Sequence, residues 1–243
     1  MTLFLTSNIG GVKKENGQKY ATNFFEQNKF LENLKKYIKN NKKFVLIASN
    51  PTNYEQNDLF LDLDKKALNL SGIDFNEYLV LDNRNKIDVC NILKNSDLIF
   101  LCGGDTFVQN KFFNEIQLKE HIKKVNSVIV GISAGSINAA LNVFNSPECK
   151  EDLVNSSNLQ GLGLTSINIE PHFRLNNTNT LNEKIQREAI IKESCNRDIY
   201  AIPDGSYILE DSNYIYLYGE CYKIKNGNIN LICKDDEMIK ISK

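Results

Sequence analysis

Histidine is scarce in this chain, with two residues in 243. The six cysteines (Cys90, Cys102, Cys149, Cys195, Cys221 and Cys233) form no C-x-x-C pair. Together these facts exclude a zinc constellation, which needs His and Cys at short fixed spacings. Scattered single thiols in a chain this long fit a reduced, cytoplasmic protein. An excess of one charge is also missing. With 29 basic and 30 acidic residues the net charge is −1, so no field gathers nucleic acid or an anionic membrane surface. The opening MTLFLTSNIGG lacks the basic region of a secretion signal. No charge falls between Lys124 and Glu148, but that segment holds eight Ser and Asn residues, two glycines and a proline. A buried strand–turn–helix is expected there, not a membrane span. No internal repeat, low-complexity linker or domain boundary is evident, so residues 1–243 read as one domain.

What is present is an alternation. Leu3–Thr6, Phe44–Ala48, Glu77–Leu81, Leu98–Cys102 and Val128–Ile132 are apolar runs of strand length, continuous enough to be buried on both faces. Between them Phe24–Lys39, Leu59–Leu70, Ile87–Lys94 and Phe107–Lys124 carry apolar residues at helical spacing. Such alternation predicts βαβ units: an α/β fold with a mostly parallel, doubly wound sheet and flanking helices. Asn142–Gln160 is polar and loop-like. A strand at Ser166–Ile169 and a helix at Leu181–Glu193 follow. The last fifty residues then predict antiparallel hairpins at Ile199–Ile202, Tyr207–Glu210, Tyr214–Tyr218, Cys221–Ile224 and Ile229–Cys233, with Asn226-Gly227 as a turn.

Four stretches carry chemistry. Gly131-Ile132-Ser133-Ala134-Gly135 fits G-x-S-x-G, in which a serine sits on a sharp strand-to-helix turn with its hydroxyl exposed. A serine hydroxyl is a poor nucleophile and needs a base, itself oriented by a third group. Of the two histidines, His121 lies among Lys119, Lys123 and Lys124 on a helical face, whereas His172 follows Pro171 just past a predicted strand. Ile202-Pro203-Asp204-Gly205 puts a carboxylate in a similar place, with Glu170, Glu148 and Asp152 as competitors for the third role. An oxyanion formed by attack needs two backbone donors. Ala134, after the serine, supplies one, and the glycine pair in Leu101-Cys102-Gly103-Gly104-Asp105-Thr106 offers a second. The order Ser, His, Asp differs from the Ser, acid, His of α/β-hydrolases, so a lipase or esterase of that fold is not implied.

These stretches, with the opening Thr6-Ser7-Asn8, give the chain its resemblance to the peptidase E family of serine peptidases, relatives of cyanophycinase with a class I glutamine amidotransferase-like fold. The motifs occur in family order over nearly the whole chain. The resemblance implies Ser133 as nucleophile, His172 as base, Asp204 as the orienting acid, and Gly104 with Ala134 as oxyanion donors. Gly103 and Asp105 stand beside them in the loop. It also implies a small peptide substrate, no metal or organic cofactor, and a monomer or homodimer. Asp105 replaces an Asn usual in the aspartyl dipeptidases, and Asp204 replaces a Glu. The dipeptidases carry arginines after the histidine motif, where this chain offers Arg174, Lys184 and Arg187. Two other readings share these residues: a hydrolase of β-aspartyl or other non-standard amides, and a non-catalytic relative that binds a small ligand. A glutamine amidotransferase would place cysteine at the elbow.

Overall fold

The computed structural model describes residues 1–149, 152 and 159–241. In chain order, β1 (Thr2–Thr6) leads into a hairpin of β2 (Gly10–Glu15) and β3 (Gln18–Phe24), and then into α1 (Phe30–Tyr37). Next come β4 (Lys43–Ile47), α2 (Tyr54–Leu70), β5 (Glu77–Leu81), α3 (Val89–Leu93) and β6 (Leu98–Leu101). The chain continues through α4 (Thr106–Glu115), α5 (Leu118–Ile122), β7 (Val128–Ile132) and α6 (Ala134–Ala139). Short strands β8 (Asn142–Val143), β9 (Leu159–Gln160) and β10 (Asn168–Glu170) precede α7 (Leu181–Glu193). Six strands finish the described chain: β11 (Ile199–Ala201), β12 (Tyr207–Glu210), β13 (Ile215–Tyr218), β14 (Cys221–Lys225), β15 (Asn228–Cys233) and β16 (Met238–Ile241).

Eight strands form the central sheet in the order β16-β13-β12-β1-β7-β6-β4-β5. From β1 to β5 every pairing is parallel; β12, β13 and β16 extend the sheet antiparallel from β1. The apolar runs alternate faces, as strand geometry requires. Leu3, Leu5, Val45, Ile47, Ile99, Leu101 and Ile129 enter one core, with residues of α3 to α6. Phe4, Phe44, Leu46, Leu98, Phe100 and Val130 enter the other, with residues of α1, α2 and the β3 end. A second sheet, β10-β11-β14-β15, packs on α7 through Phe173, Ile190, Ile199, Tyr222 and Ile224.

The five parallel strands and the helix at 181–193 match the expectation from sequence, and four differences stand out. The helix expected over Phe24–Lys39 covers only Phe30–Tyr37. Phe24 closes β3, and Asn28 and Lys29 take φ of 53° and 59°, which an α-helix cannot contain. The helix expected over Phe107–Lys124 is two, broken at Gln117, whose φ is 49°. The late strands are not one run of hairpins, because β11, β14 and β15 join the second sheet while β12, β13 and β16 join the first. The strand expected at Ser166–Ile169 is Asn168–Glu170. Of the loop Asn142–Gln160, residues 150–151 and 153–158 lie outside the described residues, and its ends pair as β8 and β9. The Asn226-Gly227 turn is present, with the two positive φ values that a type I′ hairpin needs. Among the described residues, no helix is long and apolar enough to cross a membrane.

Candidate active site

The parallel strands β1, β6 and β7 end together, and the loops leaving their C-terminal ends build one edge of the molecule. This is where open α/β sheets place their ligands. Ser133 caps α6 immediately after β7, with φ 50° and ψ −110°, a backbone state that costs a non-glycine residue on the order of 1–3 kcal/mol. The turn closes because its neighbours are small. A Cβ on Gly135 would lie 2.2 Å from the Leu101 carbonyl oxygen. The turn is also pinned from β1: the Ser133 amide donates to the Thr6 carbonyl at 2.9 Å, and the Thr6 hydroxyl donates to the Gly131 carbonyl at 2.6 Å.

His172 follows β10 and also has a positive φ, 57°. Its Nε2 lies 3.0 Å from Ser133 Oγ and its Nδ1 2.6 Å from Asp204 Oδ1. Asp204 comes from the turn after β11. The imidazole bond draws its carboxyl below the usual carboxylate range, against a smaller opposing effect of burial, and the positive charge of Arg174 adds to the lowering. Asp204 is therefore an anion facing an imidazole that faces a hydroxyl. Among the competitors for the acid, Glu170 bonds elsewhere, and Asp152 accepts from the Glu148 and Cys149 amides. His121 lies in α5, and among the described residues the imidazole bonded to the serine is that of His172.

Ser7, part of the opening Thr6-Ser7-Asn8 motif but given no role from sequence, ties the two loops together. Its hydroxyl, 1% exposed, accepts from the His172 amide and donates to the Ile202 carbonyl, both at 2.9 Å. The next residue accepts from the Asp204 side of the site, Gly205 N–H to the Asn8 carbonyl at 3.2 Å. Three consecutive residues at the end of β1 thus hold the site: Thr6 the serine loop, Ser7 the histidine loop and Ile202, Asn8 the aspartate loop. A short Thr-Ser-Asn run carries no local sign of this, because its partners lie more than a hundred residues away.

The remaining candidates divide. Gly104 lines the pocket in front of Ser133, and its φ of 146° and a Ser49 Oγ that would sit 2.5 Å from a Cβ leave no room for a side chain. Ala134 is the first residue of α6, where a helix leaves its amide without an internal acceptor. Gly103 packs behind the elbow, its Cβ position 3.5 Å from Ser133 Cβ. Asp105 caps α4, with Oδ1 accepting from the Phe107 and Val108 amides at 2.8 and 2.9 Å. Arg174 and Arg187 both line the pocket. Arg187 stacks over Phe173 at 4.7 Å and donates to the carbonyls of Arg174 and Leu175, so it also fixes the loop after the histidine. Lys184, on α7, is not among the pocket residues.

The pocket has a volume of about 460 Å³, and Ser133, His172, Asp204, Gly104, Glu170 and the two arginines all border it. Ser146 and Gln186, unremarked in the sequence, join its wall through bonds to Glu170. Among the described residues no group of three or more His, Cys, Asp or Glu is placed to hold a metal.

A strained serine on a strand-to-helix elbow, bonded to an imidazole that is bonded to a carboxylate, is the arrangement that serine hydrolases share across unrelated folds. The sequence profile of peptidase family S51 matches residues 16–216, and the chain belongs to that family of serine-type peptidases. Among solved structures, one similar chain is a peptidase from an acI-B1 Actinobacterium. It is 16% identical with a TM-score of 0.69, over 99% of this chain and 96% of that one. Another is a candidate peptidase E protein from Listeria monocytogenes EGD-e, 20% identical with a TM-score of 0.58, over 88% of this chain and 96% of that one. No curated protein matches the chain.

Proposed function

We propose that this peptidase is dipeptidase-like, cutting short peptides through a Ser133–His172–Asp204 triad and an acyl-enzyme in the cytoplasm. The observation that carries the reading is the unbroken relay from Ser133 Oγ through His172 to Asp204, opening on one pocket. His172 Nε2 takes the proton as Ser133 Oγ attacks the scissile carbonyl carbon. The amides of Gly104 and Ala134 receive the oxyanion, and Asp204, already ionised, stabilises the imidazolium and holds its tautomer. His172 then gives its proton to the leaving nitrogen as the C–N bond breaks, and water attacks the acyl-enzyme by the reverse path. All three side chains come from one chain, so a monomer or a homodimer serves equally. Arg174 and Arg187 favour an acidic first residue, because guanidinium groups take a carboxylate in paired hydrogen bonds.

A fluorophosphonate probe tests the triad. It is expected to label Ser133 in the native protein, and neither the unfolded protein nor Ser133→Ala. Dipeptide turnover in Ser133→Ala is expected to fall by about 10⁴–10⁶. Turnover equal to wild type would reject the nucleophile.

A further inference from the structure

Among the charged groups of the pocket wall that the triad leaves unused, Glu170 is the one that is buried. Glu170 ends β10, is 4% exposed, and borders the same cavity as Ser133. Its Oε1 accepts from the Ser146 hydroxyl at 2.7 Å and from the Gln186 side-chain amide at 3.2 Å. Those two bonds are its only hydrogen bonds among the described residues, both to Oε1, and no ion pair with a described Lys or Arg reaches the carboxylate. Arg187 acts on it only from beyond ion-pair distance, and burying a carboxylate without a bonded cation is costly unless something supplies the missing charge. Its two bonded neighbours are both donors, which suits an acceptor-only carboxylate and leaves Oε2 for the pocket.

Position identifies what fits there. Glu170 stands two residues before His172, so their Cα atoms are at most about 7 Å apart. The carbonyl that Ser133 attacks must lie beside His172 Nε2, and the amino group of the residue owning that carbonyl is only one carbon further on. We propose that Glu170 receives the α-ammonium of the substrate's first residue, so that the pocket accepts peptides whose scissile carbonyl belongs to that residue. This rests on the serine-peptidase reading and deepens it: the carboxylate makes a free N-terminus part of the substrate. A longer N-terminal extension would replace the ammonium with a neutral amide and leave the buried carboxylate uncompensated. Burial holds the Glu170 carboxyl up to about 7, with Ser146, His172 and Arg187 pulling it down and Glu148 pushing it up. A bound ammonium acts as a further nearby cation and favours the ionised form.

The test compares the dipeptide the enzyme cleaves fastest with its des-amino analogue, in which hydrogen replaces the ammonium. For Asp-Leu that analogue is succinyl-leucine, which adds no bulk. Wild type is expected to favour the free amine by about 10²-fold or more in kcat/KM, because a site built for a polar group rejects the analogue lacking it. Glu170→Gln, which keeps the volume and the bonds to Ser146 and Gln186, is expected to narrow that ratio to less than about tenfold. Equal rates in wild type, or an undiminished ratio in Glu170→Gln, would overturn the ammonium role and leave the peptidase reading standing. If the variant fails to fold, the wild-type pair decides the matter, since the analogue removes the same contact from the substrate side. No turnover of any dipeptide together with no fluorophosphonate labelling would remove the peptidase reading and this role with it.

Discussion

Two residues of the relay, Ser133 and His172, sit at positive φ, and neither is a glycine. Such residues persist only where their surroundings over-determine them. The surroundings here are the β1 carbonyl on the serine amide and the Ser7 hydroxyl on the histidine amide. Asp204 is held more simply, by its Pro-Asp-Gly turn and the 2.6 Å bond to His172 Nδ1. That bond separates two roles for Asp204 at almost constant volume. Asp204→Asn keeps the turn but favours the wrong imidazole tautomer, and a loss on the order of 10⁴ in kcat is expected, measured on the best dipeptide with the melting temperature as control. Loss confined to KM would instead assign Asp204 to substrate binding. Glu170 gives a residue-scale prediction about stability. Its folded carboxyl is raised from 4.5 to about 7, so the fold keeps a proton that the unfolded chain releases. The stability this confers is complete below the unfolded value and is lost as pH rises through about 7. Glu170→Gln cannot ionise, so relative to wild type it should gain on the order of 3 kcal/mol between pH 4 and pH 8. Urea unfolding at the two pH values measures it, and a pH-independent difference would contradict the burial argument.

At the scale of elements, the elbow depends on a near-contact between α6 and the end of β6. A methyl on Gly135 would meet a backbone oxygen at 2.2 Å, and backbone cannot rotate away as a side chain can. Gly135→Ala is therefore expected to cost more than about 3 kcal/mol and to abolish fluorophosphonate labelling, read by denaturant unfolding and by the probe. The spacing of Gly131 and Gly135 around Ser133 made this element legible, as did the five apolar runs; four are buried on both faces, while β5, at the sheet edge, leaves Glu77 exposed and Tyr78 and Leu79 half-buried. Other elements were illegible for local reasons. The β2–β3 hairpin has an Asn16-Gly17 turn with both φ values positive, yet its strands are mostly polar because one face meets solvent and the other α2. Phe24, Phe30 and Leu34 imitate one helical stripe although Phe24 belongs to β3, and only the left-handed Asn28 and Lys29 separate them. Gln117 breaks a helical pattern with a residue that has no special preference for doing so. Of the site, Ser133, His172, Asp204 and Gly104 stood out because turn residues flank them. Ser7, Ser146 and Gln186 did not, because their roles are set by contacts with elements distant in sequence.

Over the whole molecule, the relay draws on β7, the segment after β10 and the segment after β11, which span residues 133 to 204. The end of β1 gathers all three loops, so residues 6 to 8 act on groups at positions 133, 172 and 205. The antiparallel strands β12 and β13 then flank β1 on the side away from β7. This arrangement bears on when, during its own synthesis, the chain becomes hazardous to other peptides. Ser7 emerges from the ribosome long before the triad, but its hydroxyl has nothing to join until residues 172 and 202 have been made and folded against it. A chain ending before Asp204 holds the serine, the histidine and the rest of the pocket wall, but lacks the carboxylate that orients the imidazole. The strand at residues 2–6 waits for segments made about 125 to 195 residues later, and the power to cut arrives only once Asp204 has been added.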